Sequence, residues 1–297
     1  MSNIEVVCLG VITIDTIALV DKYPDEDERV LAQQISRAGG GPAAVAAVTL
    51  CRLGISTAIV GTIGDDEDGA EVLRIFAREG VDSSGISVGK IATSGSVIVA
   101  SRANNSRAIS TRQPMQQVAL NSSARKLISE AKWLHVDHVG ISHLKSENIA
   151  RGSGPKISFD AGYNVAGFSA AEVDLFVPTD RQMALRFPDL DLGAAVERDA
   201  TGAKNITVAT QGSEGSTGYS EDSGLVQADG FKVDVVSTLG AGDVFHGALL
   251  AQVIQGHNLQ ESLKRANAVA ALSCRGLDGQ SMIPNTSELN QFLKERS

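Results

Sequence analysis

The 297-residue chain has little aromatic content, 4% of its residues, and a single tryptophan. A core built with so few rings must pack small aliphatic side chains closely, around the many turns that 30 glycines permit. Cysteine is scarce too. Cys8, Cys51 and Cys274 are far apart, form no CxxC pair and suggest no disulfide framework, which fits a reduced, cytoplasmic setting. No apolar run approaches eighteen residues, and Glu5 stands where a signal peptide would carry basic charge, so neither a membrane span nor secretion is expected. Positive charge is also in deficit: 26 Lys and Arg against 35 Asp and Glu leave a net charge of -9. This argues against nucleic-acid and anionic-membrane partners but leaves room for a local basic pocket around a small anion. The five histidines show no HxH or HExxH spacing, so a transition-metal enzyme has little support.

What is present reads as an α/β chain. With 43% hydrophobic and 21% charged residues it can bury a substantial core, which excludes a disordered or collagenous chain. The run Val6 to Val11 is short, β-branched and bounded by polar residues, as a buried strand is. Three glycines at 39–41 precede Pro42, and the Ala-rich stretch after it ends at Gly54, the capping pattern of an internal helix. Strand–helix alternation continues with a strand at Ala58 to Val60 and a helix at Asp68 to Glu79. Further strands are expected near 133–136, 156–159, 175–177 and 206–209, and a hairpin over roughly 217–233. Helices are expected at 242–254, 260–272 and 287–295. Such alternation predicts a mostly parallel sheet covered by helices on both faces. Between 84 and 112 short polar-punctuated strands with Asn104-Asn105 between them suggest a small appended sheet, joined by the polar stretch after Asp15.

The most informative segment is FKVDVVSTLGAGDVFHGALL, residues 231–250. An extended run at Val233 to Val236 leads to the turn Gly240-Ala241-Gly242, and an apolar helix starts near Asp243. Small residues let successive amides converge at a helix start, where they can hold a phosphate. Asp243 beside them could accept an alcohol proton. The same four residues could equally be a plain helix start, with Asp243 stabilising its first turn.

Here the chain resembles the ribokinase-like, PfkB-type carbohydrate kinases. GGGPAAVAAVTLCRLG at 39–54 resembles the family's N-terminal double-glycine signature, and STLGAGD at 237–243 its C-terminal one. The resemblance runs along the whole chain. It implies a three-layer α/β domain spanning 1–297, with a mostly parallel central sheet and a small β lid from segments 13–38 and 84–112. It also implies ATP-dependent phosphorylation of a sugar hydroxyl, with Asp243 as base and Gly240, Ala241 and Gly242 as anion hole. On the acceptor side it points to Asp15, Gly40 and Gly41. Without the resemblance, Asp15 reads as a solvated loop aspartate and the glycines as a turn before the helix.

Val45 stands where ribokinases carry a sugar-binding asparagine, and Pro42 where they carry a lysine, which weakens a ribose assignment. The Gly-Pro-Ala form looks more like a sulfofructose-kinase-related subgroup, although His138 occupies the place of that subgroup's arginine. Asn104, Arg107 and Arg112 are further acceptor candidates, with Arg112 expected to read an anionic substituent ahead of Arg107. His138 is another, and a packed histidine is its plain alternative.

On the nucleotide side the resemblance assigns Thr210, Gly212, Ser213 and Gly215 of ITVATQGSEG, together with Asn267, Ala270 and Gly276. By residues alone, 210–215 is a strand-ending turn. The family's NxxE element reads Thr179 and Gln182 here, so magnesium is expected through phosphate, water and Asp180. Ser237 replaces the aspartate of the family's cation loop, leaving monovalent-cation use open. Asp160 and Asn164 could coordinate waters near the phosphates or cap a helix. A lid-mediated homodimer is expected. The nearest alternatives are a nucleoside kinase and a catalytically inactive sugar-binding regulator.

Overall fold

The computed structural model of the protein describes residues 4–103, 106–112, 120–163 and 165–296. The chain starts with β1 (Val6–Leu9), crosses into β2 (Thr13–Val20) and returns along β3 (Ala32–Gly40). Helix α1 (Pro42–Arg52) follows, then β4 (Thr57–Val60), β5 (Thr62–Gly64), α2 (Glu67–Glu79) and β6 (Ser87–Gly89). Strands β7 (Gly95–Ser101) and β8 (Ser106–Arg112) precede α3 (Ser122–Glu130), β9 (Trp133–Val136), α4 (Gly140–Ser146) and β10 (Lys156–Asp160). Next come β11 (Leu175–Val177), α5 (Asp180–Arg186), α6 (Leu192–Ala203) and β12 (Ile206–Thr210). The hairpin β13 (Gly215–Ser220) and β14 (Gly224–Asp229) leads to α7 (Ala241–Ile254), α8 (Leu259–Ser273) and α9 (Thr286–Lys294).

Among the described residues the main sheet runs β14-β13-β12-β11-β10-β9-β1-β4. Every pairing from β12 to β4 is parallel, and the β13–β14 hairpin adds an antiparallel edge. Helices cover both faces, which is why short runs such as Val6–Leu9 are buried at every position. Val6 and Cys8 enter a core shared with α1, α7 and α8, while Val7 and Leu9 enter one shared with α3, α4 and α6. The scarcity of rings has a visible consequence. A Cβ on Gly247 of α7 would lie 2.8 Å from the carbonyl oxygen of Ala46 in α1, so the two helices cross at a distance that only small residues allow. No described helix is long and apolar enough to cross a membrane.

A second sheet, β3-β2-β7-β8, stands beyond the C-terminal ends of the parallel strands. Its register sets Asp15, Ser96 and Thr111 abreast, then Ile17, Ile98 and Ile109, then Leu19, Ala100 and Arg107. These share the face toward the main domain. Ile35, Ala18, Val99 and Ala108 line up on the opposite face.

Two sequence expectations change. Within 84–112, Ser87–Gly89 pairs with β5 instead of joining the second sheet, because Ile86 is drawn into the main core. Val233 to Val236 forms no strand. Val236 and Ser237 donate their amides to the Cys274 carbonyl oxygen, and the run crosses the domain as a loop with Val235 and Val236 exposed. Asn104 and Asn105 lie outside the described residues.

Candidate active site

A cavity of about 750 Å³ opens over the C-terminal ends of β1, β4, β9 and β10, roofed by the second sheet. Gly40, Gly41, Asp15, Arg107, His138, Gly240, Gly242 and Asp243 all line it. Residues separated by more than two hundred positions therefore meet in one space.

Gly240 makes the turn into α7. Its φ of +73° lies in the left-handed region, and a Cβ there would come within 2.9 Å of the Gly279 Cα. No side chain caps the helix. Ala241 N donates to Thr238 O at 3.3 Å, while the amides of Gly242 and Asp243 find no acceptor in the chain among the described residues. Of the amides at this helix start, those of Gly242 and Asp243 are the ones left open toward the cavity side. Gly242 has open space where its Cβ would stand.

Asp243 is partly exposed into the cavity. Removal from bulk water, then the nearby carboxylates of Asp160 and Asp137, push its pKa well above the usual carboxylate range, against the pull of Arg107. Asp137 is a clasp. Its carboxylate accepts Val11 N at 2.6 Å and the amides of Val139 and Gly140 at 2.9 Å, fixing the β1–β2 junction to the start of α4.

Asp15 is 8% exposed, and its Oδ1 and the Thr13 hydroxyl have no hydrogen-bond partner among the described residues. Burial pushes the Asp15 carboxyl up. Glycine at position 40 is required for this packing: a Cβ would fall 2.0 Å from Asp15 Oδ2 and 2.6 Å from Thr13 Oγ1. Gly41, at φ +95°, approaches the Val11 carbonyl in the same way. Buried polar atoms without partners on a cavity wall are atoms prepared for a ligand.

The two candidate arginines are placed differently. Arg107 lines the cavity and donates to Thr238 Oγ1 at 3.0 Å. Arg112 is off the cavity wall, because even residues of β8 face outward; it donates to Thr93 O at 2.7 Å and pairs with Asp68 at 3.4 Å. His138 packs against Tyr163 with ring centroids 4.5 Å apart, and its Nδ1 is buried without a hydrogen-bond partner among the described residues. Asn104 and Asn164 lie outside the described residues.

None of the nucleotide-side candidates lines this cavity. Thr210 ends β12, and Gly212 and Gly215, at φ +57° and +105°, turn the chain beyond it, with Ser213 exposed between them. Gly215 has no room for a Cβ, which would meet Ala228 O at 2.1 Å. Asn267 is already committed: Oδ1 accepts from Ser216 and Nδ2 donates to the carbonyl oxygens of Ala228 and Asp229. It braces the hairpin instead of presenting a free amide. Ala270 is half-buried on α8, and Gly276 is buried against Ser281 and Met282. Asp180 is exposed in the first turn of α5, away from the cavity. Among the described residues no group of three or more His, Cys, Asp or Glu is arranged to hold a metal ion.

Residues 3–152 and 169–286 match the pfkB family carbohydrate kinases, most of the chain and both ends of the cavity. The chain belongs to that family. It is 26% identical over 316 residues to the ATP-dependent ribose-1-phosphate kinase of Halopiger xanaduensis, covering 99% of each chain. It is 28% identical over 290 residues to probable fructokinase-4 of Arabidopsis thaliana, covering 88% of each. The fold matches the crystal structure of a putative ribokinase from Agrobacterium tumefaciens with a TM-score of 0.87 at 22% identity, over 99% of each chain. In this pfkB-family kinase, sequence reasoning passed over Thr13, Ser96, Thr238 and Tyr163. The alternation of β2 and β7 held the signal for the first two, since Thr13 and Asp15 share a face and Ser96 lies opposite Asp15. Tyr163 gave none.

Proposed function

We propose that this kinase transfers the γ-phosphoryl group of ATP to a hydroxyl of a sugar or sugar derivative. The acceptor lies between Asp15, the Gly40–Gly41 turn and the second sheet, which acts as a lid. The single observation that carries this reading is the shared cavity of Asp243, two helix-start amides without acceptors and a buried carboxylate with an unpaired oxygen. A carboxylate can accept from two neighbouring hydroxyls, which makes Asp15 a polyol ligand. Asp243 takes the proton of the attacking hydroxyl; a carboxylate of raised pKa is the better base for an alcohol. The amides and the α7 N-terminus then stabilise charge on the group in transfer.

The nucleotide follows the 210–215 turn, where Gly212 leaves the backbone uncovered. The residues fit a magnesium ion carried by phosphates and water more than one caged by side chains, since among the described residues no group of three or more His, Cys, Asp or Glu is arranged to hold a metal ion. Its part would be to offset phosphate charge. Ser237 donates no carboxylate to a monovalent cation; its Oγ accepts Leu239 N at 3.1 Å. Three free thiols suit a cytoplasmic setting.

The His138–Tyr163 ring pair favours a second reading, a nucleoside acceptor whose base stacks on that wall. An ATP-coupled screen over hexoses, pentoses, sugar phosphates, sugar acids and nucleosides separates the two. Asp243→Asn should reduce turnover on the best acceptor by roughly 10²-fold or more with the fold intact. Turnover near wild type would remove the base from this scheme.

A further inference from the structure

The loop between α8 and α9 touches two turns of the cavity at once. Gly279 is part of the cavity wall, and a Cβ on Gly240 would lie 2.9 Å from its Cα, so the two backbones meet at the turn into α7. The next residue, Gln280, is 6% exposed, and its side-chain amide fills the space beside Gly39. A Cβ on Gly39 would stand 3.1 Å from its Oε1 and 3.2 Å from its Nε2. Two consecutive residues of one loop therefore lie against the acceptor-side turn at 39–41 and the helix-start turn at 240–243.

Apolar packing holds this loop only at its ends. Leu277 packs with Ile17 and Ile98 of the second sheet, and Ile283 is buried in the main core, but none of residues 278–282 buries an apolar side chain. Asp278 Oδ1 folds the stretch locally by accepting the amides of Gln280 at 2.8 Å and Ser281 at 2.6 Å. Its tie to the rest of the domain is Arg52, the last residue of α1. Nη1 of Arg52 donates to the carbonyl oxygens of Gln280 and Ile283, both at 2.8 Å. Nε and Nη2 donate to the two carboxylate oxygens of Glu79, the last residue of α2, at 2.8 and 3.0 Å. The contact with Arg52 holds the Glu79 carboxyl below its usual range against the opposing effect of burial. A guanidinium suits this place, since one edge matches a carboxylate while the remaining nitrogen is free to grip main chain.

We propose that Arg52 is a positioning residue for phosphoryl transfer: oriented by Glu79, its guanidinium fixes Gly279 and Gln280 as a spacer that sets the distance between the turn at Gly39–Gly41 and the turn at Gly240–Asp243. The proposal rests on the reading of this cavity as the place of transfer, with the acceptor at the first turn and the phosphoryl group at the second. Arg52 itself is off the cavity wall. Transfer requires the attacking oxygen and the phosphorus at near-contact distance, and a displacement of about 1 Å caused far from the chemistry can cost about 10²-fold in rate. Each ligand is bound by its own turn, so a loosened spacer slows the chemical step while both ligands still bind.

Arg52→Lys and Arg52→Met test it. An ammonium can keep the pair with Glu79 but cannot also span both carbonyls. On the best acceptor of the screen, kcat should fall about 10-fold in Arg52→Lys and roughly 10²-fold in Arg52→Met, read well below each melting temperature. The KM values for acceptor and ATP should each change less than about threefold. Without any acceptor, amide hydrogen exchange should speed up in peptides covering 36–42 and 237–245 and stay unchanged across β9 to β12. A mere staple between α1 and α2 would lower the melting temperature and loosen only 48–56 and 76–82, with kcat and both turns as in wild type, which would overturn the proposal. So would a loss confined to KM. Gly279→Ala places a Cβ 3.2 Å from the Gly240 Cα and disturbs the same spacer directly. Its cost in kcat should be smaller in the Arg52→Met background than in wild type, and strictly additive losses would show that Arg52 does not act through the loop. If Asp243→Asn turns over normally, the transfer reading fails whatever Arg52 does. If that variant is inactive and both Arg52 variants keep the wild-type kcat, only the present proposal falls.

Discussion

Arg107 on the inner face of the second sheet donates from Nη1 to Thr238 Oγ1 at 3.0 Å, joining groups 131 residues apart. Thr238 lies two residues before the turn that starts α7, so a side chain of the second sheet already grips the loop on which the transferring group would rest. Arg107→Met should reduce kcat/KM by roughly 10²-fold, the scale of losing one charged donor at a developing anion. Arg112→Met should change it less than about threefold, because that guanidinium is spent on Thr93 and Asp68. Steady-state kinetics on both variants decide. A larger loss for Arg112 would reverse the order the cavity implies.

Gly240 and Gly242 should fail in different ways. Valine at 240 must hold a φ of +73° and meets Gly279, so Gly240→Val should cost roughly 2 kcal/mol or more of stability. Valine at 242 meets nothing within 4 Å of its Cβ and sits in helical geometry. Gly242→Val should therefore lose about 1 kcal/mol or less and yet lose turnover at least 10²-fold, by occupying the space above the free amides. Denaturant melts paired with kinetics separate the two. An active Gly242→Val would show that no phosphoryl group approaches there.

Asp15 links pH to both stability and acceptor binding. Its folded pKa is raised, so it contributes stability that is full below the ordinary carboxylate pKa and is lost as pH rises through the folded value. Asp15→Asn should then melt above wild type at pH 7, with the gain shrinking toward pH 4. The same variant should raise the acceptor KM at least 10-fold and leave the ATP KM within about twofold. A melting difference that is flat with pH would mean that Asp15 is not strained by burial.

Much of this was legible in the chain because its signals are local. Pro42 and Gly54 bracket α1, four-residue apolar runs mark the buried strands, and two glycine-rich strings mark opposite ends of one cavity. What escaped depends on which way a strand faces. Arg107 and Arg112 are equivalent in sequence, but five positions along a strand reverse the face, and only pairing with β7 determines which enters the cavity. Val233–Val236 has a strand's composition without a strand's neighbour; β14 already forms the sheet edge. The Asp160–His246 contact joins β10 to a helix eighty-six positions later, and no spacing rule announces it.

The outer face of the second sheet carries the last expectation. Ile35 and Val97 are 68% and 60% exposed there, and the register sets Ala18, Val99 and Ala108 beside them in an apolar, small-residue surface. A second copy packed on this face across a twofold axis would cover it without leaving an apolar patch in water. The wild-type protein should sediment at twice the chain mass at micromolar concentration, and Val97→Lys combined with Ile35→Glu should convert it to monomer. Because Asp15, Ser96 and Arg107 are on the other face, the monomer should keep its acceptor preference, with the acceptor KM raised by no more than a few fold. A wild-type protein that stays monomeric at tens of micromolar would leave this face without the second copy assigned to it.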